Sequence, residues 1–163
     1  MLSTGMDRLV SRVLRTIPDA VAGMKGDRSH PDVVGRVELF GFRDGVLVSA
    51  WIRGLPRQTE NGASVFGFHI HEGMSCTGNR EDPFADAGSH YSPLNAEHPR
   101  HAGDMPPLFA FSGEAYSCFY LGGVSVPELI SRAVIIHGRA HDFTTQPSGN
   151  AGAKIACGLI EPN

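Results

Sequence analysis

Six apolar runs, at residues 33–41, 46–52, 64–71, 115–121, 133–137 and 154–160, are separated by stretches rich in glycine, proline, asparagine and aspartate. Each run is short and enriched in β-branched or aromatic residues, the pattern of strands rather than helices. The turn Arg43-Asp44-Gly45 predicts a hairpin. With 20 glycines and 11 prolines punctuating the chain, there is little room for long helices, and an all-β sandwich or barrel is expected. One segment breaks the pattern. Over residues 6–17, Leu9, Val10, Val13, Leu14 and Ile17 fall on one helical face, predicting a short amphipathic helix packed on the body.

Composition narrows the function only by exclusion. The 163 residues, 41% of them hydrophobic, suffice for one sizeable core, so the division expected is an extension at 1–19, helical in part, followed by one domain at 20–163. A net charge of −3 with interspersed signs offers no basic stripe for nucleic acid, and no apolar run is long enough to span a bilayer. Arg8, Arg12 and Arg15 interrupt the first residues, which do not read as a secretory signal. A cytoplasmic protein is expected, or an extracytoplasmic one if the chain is a trimmed form. The three cysteines, Cys76, Cys118 and Cys157, are too widely spaced for a CxxC metal site, leaving room for one long-range disulfide and a spare thiol.

The chemistry lies elsewhere. In the run VFGFHIHEG, His69 and His71 occupy positions i and i+2, so a strand aims both imidazoles to the same face. Residues 72–109 then form an irregular segment far longer than an ordinary connection, a sign of function or disorder. Within it His90, His98, His101 and Asp104 place three nitrogen donors and a carboxylate close together in sequence, a set that suits tetrahedral zinc. His137 ends the apolar run AVIIH.

GFHIHEG, the AGSHYSP around His90, the HPRHAGD that carries His98, His101 and Asp104, VIIHG, and the closing SGNAGAKIACG occur together and in this order. In these motifs the chain resembles the copper/zinc superoxide dismutase family, from about residue 20 to the end. The resemblance implies an eight-stranded Greek-key β-barrel carrying its metals in long loops. It implies copper held by His69, His71, His90 and His137, and zinc held by His90, His98, His101 and Asp104, with the imidazolate of His90 bridging the two. It pairs Cys76 with Cys157 in a disulfide and leaves Cys118 as a small buried strand residue. The implied activity is dismutation of superoxide, a copper-centred one-electron cycle in which His90 also delivers a proton, by a monomer or homodimer.

Two positions depart from the family pattern. Lys154 stands where the family places an arginine that attracts the anion, keeping the charge but losing the planar fork, so retained but lower activity is expected. His141 stands where the family places an aspartate that accepts hydrogen bonds from a copper-ligand and a zinc-ligand histidine. A neutral imidazole has one acceptor nitrogen, so either the adjacent Asp142 takes over or one ligand goes unheld and zinc binding weakens. Both departures favour a rival reading, a dismutase-like domain that binds zinc or copper without catalysis; the complete copper set favours the enzyme. A cupin-like single-metal site would want a glutamate several residues beyond His-x-His, whereas Glu72 is adjacent. The loop after His137 is short, with Arg139 the other cation expected near the copper.

Overall fold

A computed structural model describes residues 5–57 and 64–163. Among these residues nine strands run antiparallel: β1 (Ala20–Gly26), β2 (Val34–Phe42), β3 (Gly45–Arg53), β4 (Val65–Phe66), β5 (Phe68–His71), β6 (Leu108–Phe109), β7 (Ala115–Gly122), β8 (Ala133–His137) and β9 (Lys154–Pro162). Seven form one sheet in the order β5-β8-β9-β1-β2-β3-β7, while β4 pairs with β6. Because β4 and β5 are halves of one strand interrupted at Gly67, and β6 lies against β7, the sheet curls into the expected eight-stranded barrel. The β3-to-β4 and β7-to-β8 connections join strands that are not neighbours, the Greek-key pattern.

Alternation sets which side chains fill the barrel. Val37 and Leu39 of β2, Val46, Val48, Ala50 and Ile52 of β3, Phe66 and Phe68 beside Gly67, and Val134 and Ile136 of β8 all pack into one core. In β7 the same period turns Ala115 and Leu121 inward and leaves Tyr116, Cys118 and Tyr120 outside. Cys118, expected to be buried, is therefore an exposed free thiol, since a one-residue slip would expel Ala115 and Leu121.

The predicted hairpin joins β2 to β3 through Arg43 and Asp44, with Phe42 opposite Gly45. The helix expected over 6–17 is shorter, α1 (Gly5–Val13), followed by a tighter turn that ends at Thr16 before Pro18. Val10, Val13 and Leu14 pack on Phe40, Phe42 and Leu47, as the packed-helix reading requires. A second helix, α2 (Val126–Leu129), is one turn long. None of the helices is long and apolar enough to cross a membrane among the described residues.

Candidate metal centre

Strand β5 is the edge of the large sheet, and the long segment after it folds back to cover that edge. The main chain of Ile70 anchors the return: its N–H donates to Gly103 O at 2.8 Å and its carbonyl accepts from Tyr91 N–H at 2.8 Å. A side chain at Gly103 would put its Cβ 2.2 Å from Ile70 O, so only glycine permits this approach. Those bonds bring His90 opposite His71 and Asp104 opposite His69. The motifs on the two sides of the loop thus become neighbours through backbone pairing.

From the other side of β5, β8 contributes His137, where a register irregularity sets it opposite Lys154 at the start of β9. The disulfide Cys76–Cys157, with a sequence separation of 81, ties the start of the long segment to β9.

Two donor sets converge. In one, His69, His71, His90 and His137 gather within 4.8 Å, and in the other His90, His98, His101 and Asp104 do the same, so His90 belongs to both. His71 Nε2 and His137 Nε2 are 3.2 Å apart, while His69 Nδ1 and His90 Nε2 are buried without a hydrogen-bond partner among the described residues. In the second set Asp104 lies 2.8 Å from His90 Nδ1, 3.0 Å from His98 Nδ1 and 3.1 Å from His101 Nδ1. Two nitrogens on one tetrahedral ion at 2.0–2.1 Å stand about 3.3 Å apart, so both constellations have the size of a metal site. Unpartnered buried nitrogens are otherwise costly.

His69, His71 and His137 are held in the neutral, ligand-ready form. Burial, reinforced by neighbouring histidines, drives His69 and His71 well below the ordinary imidazole range, and burial pushes His137 down to about 4 despite its bond to Gly152. At Asp104 burial opposes ionisation, but hydrogen bonds from His90 and the His101 backbone outweigh it and hold the carboxyl low. The far nitrogens fix the ring orientations: His71 Nδ1 donates to Gly88 O at 2.8 Å and His137 Nδ1 to Gly152 O at 3.1 Å.

A matching family model, described as copper/zinc superoxide dismutase, spans residues 33–160. The chain belongs to the copper/zinc superoxide dismutase family. It is 33% identical over 153 residues to superoxide dismutase [Cu-Zn] 2 of Aquifex aeolicus, covering 79% of this chain and 80% of that one. The Cu/Zn superoxide dismutase from Brucella abortus superposes with a TM-score of 0.73 at 26% identity, over 87% of this chain and 99% of that one. A double mutant of a SOD-like protein from Bacillus subtilis does so at 0.71 and 32%, over 86% and 96% respectively.

Within this dismutase frame the two departures resolve differently. His141 is buried and its Nδ1 lies 2.7 Å from His69 Nε2, while its own Nε2 has no partner among the described residues. Asp142 is not brought to the site. Its carboxylate accepts from the backbone of Thr144 and Thr145 and from the Thr145 hydroxyl, closing a turn on the surface, and those bonds hold its pKa far below the ordinary range. The backbone shift that would let Asp142 replace the family aspartate does not occur.

Lys154 lines the cleft over the first donor set together with His71, His90 and His137. Its ammonium is paired with Asp82, a residue that composition and motif did not single out. Arg139, expected as a second cation there, does not line the cleft and donates instead to Asn150 Oδ1 at 3.2 Å. Gln146 also escaped sequence reasoning. Its side chain bonds to the backbone of His98, 48 positions away, and no local signal marks such a pair.

Proposed function

We propose that this protein dismutes superoxide, converting two superoxide anions and two protons into dioxygen and hydrogen peroxide. The carrying observation is a pair of four-donor sets, largely buried, that share His90 and open to solvent beside Lys154. His69, His71, His90 and His137 are the residues to hold copper; His90, His98, His101 and Asp104 are those to hold zinc. When bound, copper supplies the one-electron redox cycle that the reaction needs, while redox-inert zinc holds His90.

The residues divide the remaining work. His90 presents Nε2 to the copper set and Nδ1 to the zinc set, so Nε2 can take a proton and pass it to the reduced product. Lys154 attracts the anion to the cleft, whose floor is formed by the buried rings of His71, His90 and His137. His71 and His137 keep their orientation through Gly88 and Gly152, so those rings stay in place while His90 exchanges its proton. The intact copper set favours this enzyme over a metal-binding domain without catalysis.

The division into an extension at 1–19 and a dismutase domain at 20–163 is supported by β1 beginning at Ala20, with residues 1–4 outside those described. Action as a monomer or homodimer, independent of nucleic acid and membrane, is part of the same proposal. Of the cytoplasmic and extracytoplasmic locations, the disulfide supports the oxidising one.

The test is direct: metal content of protein purified without added metal, then superoxide consumption after loading. One copper and one zinc per chain with rapid consumption support the proposal. A copper-loaded protein that consumes superoxide no faster than His90→Ala overturns it.

A further inference from the structure

His98 is the least supported ring of the zinc set. It is 3% exposed, its Nε2 has no partner among the described residues, and His141, which occupies the bridging aspartate's place, spends its Nδ1 on His69. A metal-binding imidazole ordinarily has its other nitrogen held, because otherwise the ring must be ordered at the moment of binding. Here the restraint comes from a different direction. The side-chain amide of Gln146 straddles the main chain of His98, accepting from its N–H at 2.9 Å and donating to its carbonyl at 2.7 Å.

That pair uses both the acceptor and a donor of one amide, as a neighbouring strand would, and it fixes the backbone from which the ring projects. Gly149 supplies the wall behind the ring. At a φ of +65°, its backbone comes so near that a Cβ would lie 2.5 Å from His98 Nε2. Gln146 and Gly149 lie in the same short loop as His141, so the loop grips the zinc ligand by backbone and by packing.

We infer that Gln146 is a positioning residue for zinc, holding His98 from the main chain where the family's bridging carboxylate would hold it from the ring. This inference rests on the zinc assignment above. It predicts that zinc affinity depends on Gln146 strongly and copper affinity weakly, since His69 is held separately through His141.

The experiment measures zinc and copper affinity by chelator competition on the full chain, for the native protein, Gln146→Leu, and Gln146→Leu combined with His141→Asp. Leucine keeps the bulk and removes both hydrogen bonds, and the melting temperature of each metal-free protein checks folding. Zinc affinity should fall about ten-fold or more in Gln146→Leu, with copper affinity changed much less. His141→Asp should restore most of the loss by holding the ring directly. Equal zinc affinity in native and Gln146→Leu protein overturns the inference, as does a loss that falls equally on copper and resists His141→Asp. A native protein that binds no zinc overturns the zinc assignment itself, and the inference with it.

Discussion

The ammonium nitrogen of Lys154, which lines the cleft with His71, His90 and His137, lies 2.5 Å from a carboxylate oxygen of Asp82. Both partners are anchored on the same pair of segments that Cys76–Cys157 ties together. The positive charge that Lys154 brings to the cleft is thus partly cancelled before an anion arrives.

Removing the cancelling charge should raise capture. In Asp82→Asn the lysine keeps a polar neighbour but loses the opposing charge, so kcat/KM for superoxide should rise by several-fold to about ten-fold at low salt and become more sensitive to ionic strength. Lys154→Ala should lower it, and Lys154→Arg should raise it because a guanidinium can keep Asp82 and still present a second pair of donors. Pulse-generated superoxide decay at two ionic strengths reads all three. Unchanged rates in Asp82→Asn would mean that the ion pair does not limit capture.

The His69–His141 pair makes a separate prediction about zinc. In His141→Asp, one carboxylate oxygen can take the bond to His69 Nε2 while the other accepts from His98 Nε2, which lacks a partner among the described residues. Zinc affinity should then increase about 10- to 100-fold, with the copper set altered less. Chelator competition at fixed pH measures it, and an affinity equal to native would show that Gln146 already supplies the full restraint.

How much of this was legible in the sequence follows from the range of the interactions. His69 and His71 could be placed on one face because a strand's period is local, and six strand runs were marked by their own residues. Strand β1 was not: its inward Ala20, Ala22 and Met24 alternate correctly, but alanine and glycine carry weak strand preference, and pairing with β2 and β9 makes the strand. β6 is two residues that become a strand only against β4. Lys154 and His141 were conspicuous as departures within recognisable motifs. Asp82 and Gln146 sit in loops with no motif of their own, and their partners are 72 and 48 positions away.

Acid should destabilise the metal-free protein over a defined window. The folded-state pKa values of His137 and His141 are pushed from 6.5 to about 4, chiefly by burial, and those of His69, His71 and His98 are lowered as well. Below pH 6.5 the unfolded chain takes up protons that the folded chain refuses, so the stability contribution is complete above that pH and is lost as pH falls toward 4. Melting of the metal-free protein should be nearly level from pH 8 to 7 and decline steadily from 6.5 to 4. With metals bound, protons must displace ligands before the rings titrate, so the decline should begin at lower pH. A flat profile for the metal-free protein down to pH 4.5 would contradict the buried, neutral histidines.

Reduction should act on stability and on the cleft together. Cys76–Cys157 closes a separation of 81 residues, which in the chain-entropy treatment contributes about 4 kcal/mol by restricting the unfolded state. At a few degrees per kcal/mol for a domain of this size, Cys76→Ser combined with Cys157→Ser should lower the melting temperature by on the order of 10 °C. The same change removes the covalent tie between the segment carrying Asp82 and β9, leaving the Lys154 ion pair and the packing of Phe84 and Ala87 against Ala133 and Ile135 to hold it. The cysteine variant, assayed well below its melting temperature, should therefore shift in anion capture in the same direction as Asp82→Asn. If it loses stability but keeps the native salt dependence of capture, the disulfide supports the fold without setting the charge at the cleft.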